Sequence, residues 1–404
     1  MIPVCLYFQV HQPYRLRPYN YFDIGREHRY FDEDKNRALL VRVAEKCYIP
    51  ATAMLLRLLD RHPAFAVSFS LSGCLLQQFR EYAPQVREAF QALAATGRVE
   101  FLAETSHHSL AWLASRAEFQ EQIELHRASI EEDFGVQPRV FRNTELIYSD
   151  ELAGYLEEHG YAGVLADGVE PLLGPLSPDH LYRAATPKGL PLLLRDYRLS
   201  DDIAFRFSNR TWIEHPLTSE KYDRWVSALT GDVLSLFMDF ETFGEHQWKE
   251  TGIFEFFEAW VELYLSHPGA RFLTPSSAID SLPARDRLSA PRLLSWADEA
   301  RDLSAWQGNE LQRDALRRLF SLEERTKAAA SESALSDFRR LTTSDHFYYM
   351  ATKSYGDGEV HAYFSPFDSP YEAYMAFMHV VSDLEKRVTP ARRPPARNPQ
   401  PFGA

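Results

Sequence analysis

Leu236-Phe237-Met238-Asp239-Phe240-Glu241-Thr242-Phe243-Gly244-Glu245-His246-Gln247-Trp248 decides how this chain is read. Residues 233–238 form an apolar, strand-like run that ends abruptly in two carboxylates, Asp239 and Glu241. On an extended backbone a spacing of two puts both on the same side. Gly244 then permits a sharp change of direction. Glu245, His246 and Trp248 follow, so acid, imidazole and indole crowd one short loop. A strand that delivers convergent polar groups at its carboxyl end is how α/β enzymes present chemistry. A solvated acidic loop would account for either carboxylate alone. The cluster, with its aromatics, points to a site.

The same pattern recurs along the chain. Strands are expected at 4–10, 65–69, 99–102, 140–141, 163–165, 190–194, 203–207, 233–238 and 271–273. Helices are expected at 37–46, 51–61, 83–95, 116–133, 222–229 and 254–265, with Gly97 and Gly135 as stops. Such alternation implies a mainly parallel sheet covered by helices. About seven or eight of these strands in one sheet suit a closed or nearly closed barrel better than an open doubly wound sheet. Neither a glycine-rich dinucleotide fingerprint nor a GxxxxGK[ST] loop is present, which weighs against nucleotide chemistry. After about residue 283 helical period takes over, at 308–327, 333–341 and 371–386. The expected division is a catalytic α/β barrel over 1–285, a helical C-terminal domain over 286–388 and a disordered Pro- and Arg-rich tail over 389–404. Trp296, Trp306 and residues 343–350 read as surfaces that pack or bind.

Composition narrows the partners. Hydrophobic residues make up 45% of 404, enough for a sizeable core. A net charge of −13 argues against nucleic acid or an anionic membrane surface. Three cysteines without CxxC spacing suggest neither a disulfide framework nor a zinc knuckle, and a reducing compartment is the default. The N-terminus has no signal-peptide pattern and no apolar run reaches membrane-spanning length. Cytoplasmic residence is the expectation; oligomeric state is not legible.

Polar groups follow four separate strand-like runs: His11, then Glu104 and His107, then Glu145, then Asp239 and Glu241. In a barrel these share one rim. Tyr14, Trp112, Phe243 and Trp248 can supply apolar platforms nearby. Two opposed carboxylates are what glycoside hydrolysis requires, roughly 5–5.5 Å apart if configuration is retained. Glu145 and Asp239, distant in sequence, suit such a pair. Arg142 is placed to hold Glu145 ionised, and Glu241 to supply an anion that raises the Asp239 pKa. Two other chemistries remain: a metal-dependent hydrolase using His11, Asp239 and the His107/His108 pair, although no HxxxH or HExxH spacing is present, and a non-catalytic glucan binder. Glu100, inside a strand, either pins a loop or touches substrate.

His11-Gln12-Pro13, Gly97-Arg98-Val99-Glu100, Phe141-Arg142-Asn143-Thr144-Glu145 and Met238-Asp239-Phe240-Glu241-Thr242-Phe243-Gly244 resemble successive conserved regions of glycoside hydrolase family 57. They occur in the family's order and span most of residues 1–250. Glu245-His246-Gln247-Trp248 and residues 343–350 resemble its α-amylase branch. The resemblance implies a distorted parallel (β/α)7 barrel followed by a helical domain. It implies a retaining mechanism on α-1,4-linked glucans, with Glu145 as nucleophile and Asp239 as acid/base, and no metal or cofactor. An α-glucan or maltooligosaccharide is then the expected partner. A 4-α-glucanotransferase on the same residues is the alternative within the family. The residues expected to bind substrate are His11, Gln12, Glu100, Glu104, His107, Arg142, Glu241, His246, Trp248 and His346.

Overall fold

The computed structural model describes residues 1–297, 299–353 and 365–389. Its strands are β1 (Val4–Val10), β2 (Val67–Leu71), β3 (Val99–Phe101), β4 (Val140–Arg142), β5 (Gly163–Asp167), β6 (Leu181–Ala184), β7 (Pro191–Arg195), β8 (Leu234–Asp239), β9 (Phe272–Leu273) and β10 (Arg287–Leu288). They form two arcs. One runs β3-β2-β1-β8, with β9 beside the start of β1; the other runs β10-β6-β7-β5-β4. Every pairing is parallel except β6 with β7.

Two sparse seams join the arcs. After β3, the Ala103 amide donates to the Val140 carbonyl (2.9 Å) and the Arg142 amide donates to the Ala103 carbonyl (2.8 Å). After β7, the Asp196 amide donates to the Ser235 carbonyl (2.8 Å), and the Arg195 side chain to the Phe237 carbonyl (2.7 Å). The ring β1-β2-β3-β4-β5-β7-β8 thus closes as the distorted seven-stranded barrel that the sequence led us to expect.

Strand alternation sorts the side chains. In β1 and β8, Leu6, Phe8, Leu236 and Met238 face outward and pack on the surrounding helices. Cys5, Tyr7 and Phe237 face inward with Leu165 of β5 and Leu193 of β7. The period of two continues upward, so Gln9 and Asp239 fall on the inner face, paired in register. Arg142, Asp167 and Arg195 end β4, β5 and β7 by the same rule. The barrel interior is therefore apolar below and ionic at its carboxyl end. Helix Pro275–Ser281 plugs the opposite end: Ala278 packs with Cys5, and Ile279 lies where a Gly163 side chain would be.

Residues 203–207 are not a strand. The side chain of Asp196 accepts the Leu199 amide and starts helix Tyr197–Ala204, which buries Leu199 and Ile203 one turn apart. Helix Gly73–Tyr82 follows β2 and was not expected.

Beyond the barrel lie helices Ser304–Gln307, Glu310–Phe320, Glu323–Ala328, Glu332–Leu341, Ser344–Tyr348 and Pro370–Val388. They share one hydrophobic cluster with the β4–β5–β7 arc, through Phe141, Val164, Leu192, Trp306, Phe347 and Phe377. Buried Glu118 receives Lys327 and Arg339, both at 2.8 Å. The sheet itself reaches past residue 285, because β10 pairs with β6. The tail expected over 389–404 falls outside the described residues from 390 onward. No helix among the described residues is long and apolar enough to cross a membrane.

Candidate active site

A solvent-open cavity lies over the ionic end of the barrel. Glu145 and Asp239 both line it.

Glu145 reaches the cavity through an unusual backbone. It occupies the short turn Thr144–Leu146 with φ +57°, and Leu146 follows with φ +48°. Left-handed non-glycine residues cost about 1–3 kcal/mol each and persist only where the surroundings hold them. Here the Asn143 amide side chain donates to the Ile147 carbonyl at 3.0 Å. The Trp296 amide donates to the Glu145 carbonyl at 3.3 Å. The carboxylate is held as firmly. Its Oε2 accepts the Trp296 indole N–H at 2.9 Å, and its Oε1 accepts the Ser344 hydroxyl at 2.9 Å. His108 Nε2 stands 3.3 Å from Oε1. Arg142 lies behind, its guanidinium 5.1 Å from the Trp296 ring centroid. The carboxylate is thus held by partners that include Trp296, Ser344 and His108, with Arg142 acting from behind them.

Asp239 ends β8 on the inner face. Glu241 follows on the turn Phe240–Thr242, where the Tyr48 hydroxyl donates to it. Burial, and next the Asp239 charge, push Glu241 up to about 8, against opposing hydrogen bonds from Tyr48 and Gln12. Glu241 is therefore the more desolvated member of a coupled carboxyl pair with Asp239, and burial and mutual repulsion keep one proton on that pair near neutrality. Between its ordinary pKa and about 8 the folded chain holds a proton that the unfolded chain has released. Stability then falls with rising pH across that window and levels off above it. Glu241→Gln has no such proton to lose. Its melting temperature should rise relative to the wild-type chain between about pH 5 and pH 8, then stay parallel; a constant difference would contradict the assignment.

His11, after β1, is bracketed by the Ser72 hydroxyl (2.7 Å from Nδ1) and Asp345 (3.1 Å from Nε2). Its ring stacks on His108 with centroids 4.3 Å apart. Burial and the neighbouring His108 charge lower its pKa. Gln12 and His246 also line the cavity.

Other expected contacts are elsewhere. Glu100 accepts the Ser276 amide (2.8 Å) and hydroxyl (2.6 Å), so it caps the helix that plugs the far end of the barrel. Glu104 is fully buried beneath His108. His107 points away from the cavity, pushed down to about 3 by burial and by Arg339 and Arg340. His346 is packed between Phe31 and Phe377. Trp248 is 63% exposed and does not line the cavity. In return the cavity gains His108, Asp345, Tyr348 and Trp296, and a charged wall of Arg195, Asp201 and Arg301. Arg195 joins Asp167 and Asp201, and Arg301 reaches both aspartates. The strand-end rule applied to β5 and β7 would have found Asp167 and Arg195. Ser344 and Asp345 lay in a stretch already marked by its polar and aromatic pattern. Among the described residues, no three His, Cys, Asp or Glu side chains are grouped to hold a metal ion.

Known proteins resemble this chain in sequence and in fold. A family model described as glycosyl hydrolase family 57 matches residues 5–291. A protein of Methanocaldococcus jannaschii named "Putative alpha-amylase" is 40% identical over 390 residues, covering 94% of this chain and 83% of that relative. Among solved structures, a branching enzyme of Thermococcus kodakaraensis has the same fold (TM-score 0.67, 13% identity, 96% of this chain and 94% of that one). So does the α-amylase AmyC of Thermotoga maritima (TM-score 0.58, 14% identity, 96% and 95%). The 4-α-glucanotransferase of Thermococcus litoralis aligns with 86% of this chain (TM-score 0.63, 16% identity), which spans just over half, 56%, of that larger protein.

Proposed function

The chain belongs to glycosyl hydrolase family 57, and from that premise we propose that it cleaves α-1,4-linked glucans with retention, in the manner of an α-amylase. Glu145 attacks the anomeric carbon while Asp239 gives the proton it shares with Glu241 to the departing glycosidic oxygen, which leaves a glucosyl ester on Glu145. Asp239, now ionised, removes a proton from water, the water attacks the same carbon, and the ester bond breaks. The observation that carries this reading is the treatment of Glu145. Three donors converge on its carboxylate within one cavity that Asp239 also lines, and donors of that kind favour the ionised form a nucleophile needs. Trp248 and Glu100 lie outside that cavity.

Transfer to a second sugar in place of water uses the same two residues, and the solved relatives include a glucanotransferase and a branching enzyme. Incubation with maltoheptaose should give shorter oligosaccharides, the first-formed reducing ends having the α configuration. Products longer than the donor would identify a transferase. β-Configured first products would rule out retention.

A further inference from the structure

Glu104 is buried, ionisable and unused by the chemistry described so far, and His108 has entered it only as one of three donors to Glu145. From the geometry we infer that they form a positioning pair, in which Glu104 fixes His108 as an imidazolium that keeps Glu145 ionised and aimed. This rests on the reading of Glu145 as nucleophile.

Both ring nitrogens of His108 face carboxylate oxygens. Nδ1 is 3.0 Å from Glu104 and Nε2 is 3.3 Å from Glu145. A neutral imidazole has a single N–H and would turn a lone pair toward one of those anions; only the cation donates to both. Glu104 is beyond the reach of any substrate, with no exposed surface. Its Oε1 accepts the Ser70 hydroxyl at 2.6 Å, and Gln9 Nε2 stands 3.5 Å away. Its Oε2 is left for His108. The backbone adds to the arrangement. His108 has φ +48°, and its carbonyl accepts the Ser344 amide at 2.9 Å, so the residue also seats the hydroxyl that donates to Glu145 Oε1. Burial pulls His108 down, but the two carboxylates outweigh it and raise it to about 9; Glu104 is lowered to about 2. The other charged or titratable groups around the pair include Tyr7, His11, Cys74, Arg142, His126 and Asp345, with Asp239 and Arg195 across the cavity.

The sign follows from linkage. A cation beside Glu145 lowers its pKa, so removing that cation raises the pH at which Glu145 takes up a proton and activity fails. His108→Gln, a neutral donor, and Glu104→Gln, which leaves His108 without its fixed anion, should each lower kcat/KM at least about tenfold near pH 6. Each should move the acidic limb of the pH profile up by about one unit. A merely structural role would lower kcat at every pH and leave that limb in place; this result overturns the inference. A third measurement needs no variant: nitrogen chemical shifts of the wild-type enzyme should show both His108 nitrogens protonated at pH 7, and a singly protonated ring overturns it. The underlying reading is checked separately with Glu145→Ala and azide, which should yield β-glucosyl azide. An unmoved acidic limb together with azide rescue removes the pair alone; failed rescue removes the nucleophile beneath it.

Discussion

Glu145→Gln should turn over maltooligosaccharides on the order of 10⁴-fold more slowly than the wild-type chain, at an unchanged melting temperature. The amide keeps one oxygen, for the Trp296 indole, and turns its NH2 toward the Ser344 hydroxyl, which can rotate to accept, so the turn stays in place, but it cannot form the ester. Asp239→Asn should be comparably slow on a maltooligosaccharide. The two variants part company on an aryl glucoside with an acidic phenol. That leaving group departs without protonation, so Asp239→Asn should form the glucosyl enzyme at a near wild-type rate and then stall, because water has no base. Glu145→Gln should gain nothing. A burst of phenol from Asp239→Asn and none from Glu145→Gln is the expected pattern. The reverse would exchange the roles, and near-wild-type turnover of a maltooligosaccharide by either variant would end the assignment.

Gly244→Ala should be the most damaging alanine substitution among the described glycines. Gly244 has φ +101°, a conformation that L side chains rarely adopt, and an added methyl group would land on the Lys46 carbonyl oxygen. The obstacle is backbone, in the π-helical turn Ala44–Tyr48, and not a side chain that can swing away. The loop after β8 would have to lift, and with it the Tyr48–Glu241 contact. A loss on the order of 3–5 kcal/mol in denaturant unfolding is expected, with activity falling in parallel. Gly97→Ala is the control. Its φ is +70°, but nothing lies within 4 Å of the new methyl, so only the strain of about 1 kcal/mol applies. Equal losses at the two glycines would show that the close approach at Lys46 does not matter.

The sequence disclosed the barrel because its strands are short apolar runs that finish in polar residues, and that signal is local. It misread residues 203–207 because Ile203, Phe205 and Phe207 alternate as a strand would, while the feature that makes the segment helical is the cap at Asp196, seven residues earlier. The same limit applies at the site. Glu145 and Asp239 stand in recognisable strand-end positions. Trp296 and Ser344 are 151 and 199 residues from Glu145, and no local pattern links them to it. His107 and His108 are adjacent and chemically alike, and the left-handed backbone at His108 decides which of them faces the cavity. The identity of Glu241 was plain, but its proton was not, because burial is a property of the whole fold.

The sparse seams give the barrel the build of a clamshell. Glu145 follows β4 on one valve and Asp239 ends β8 on the other, and only a few main-chain bonds run between the valves at each margin. The span between Glu145 and its proposed partner Asp239 is therefore set across the seams, and not by any ladder within a valve.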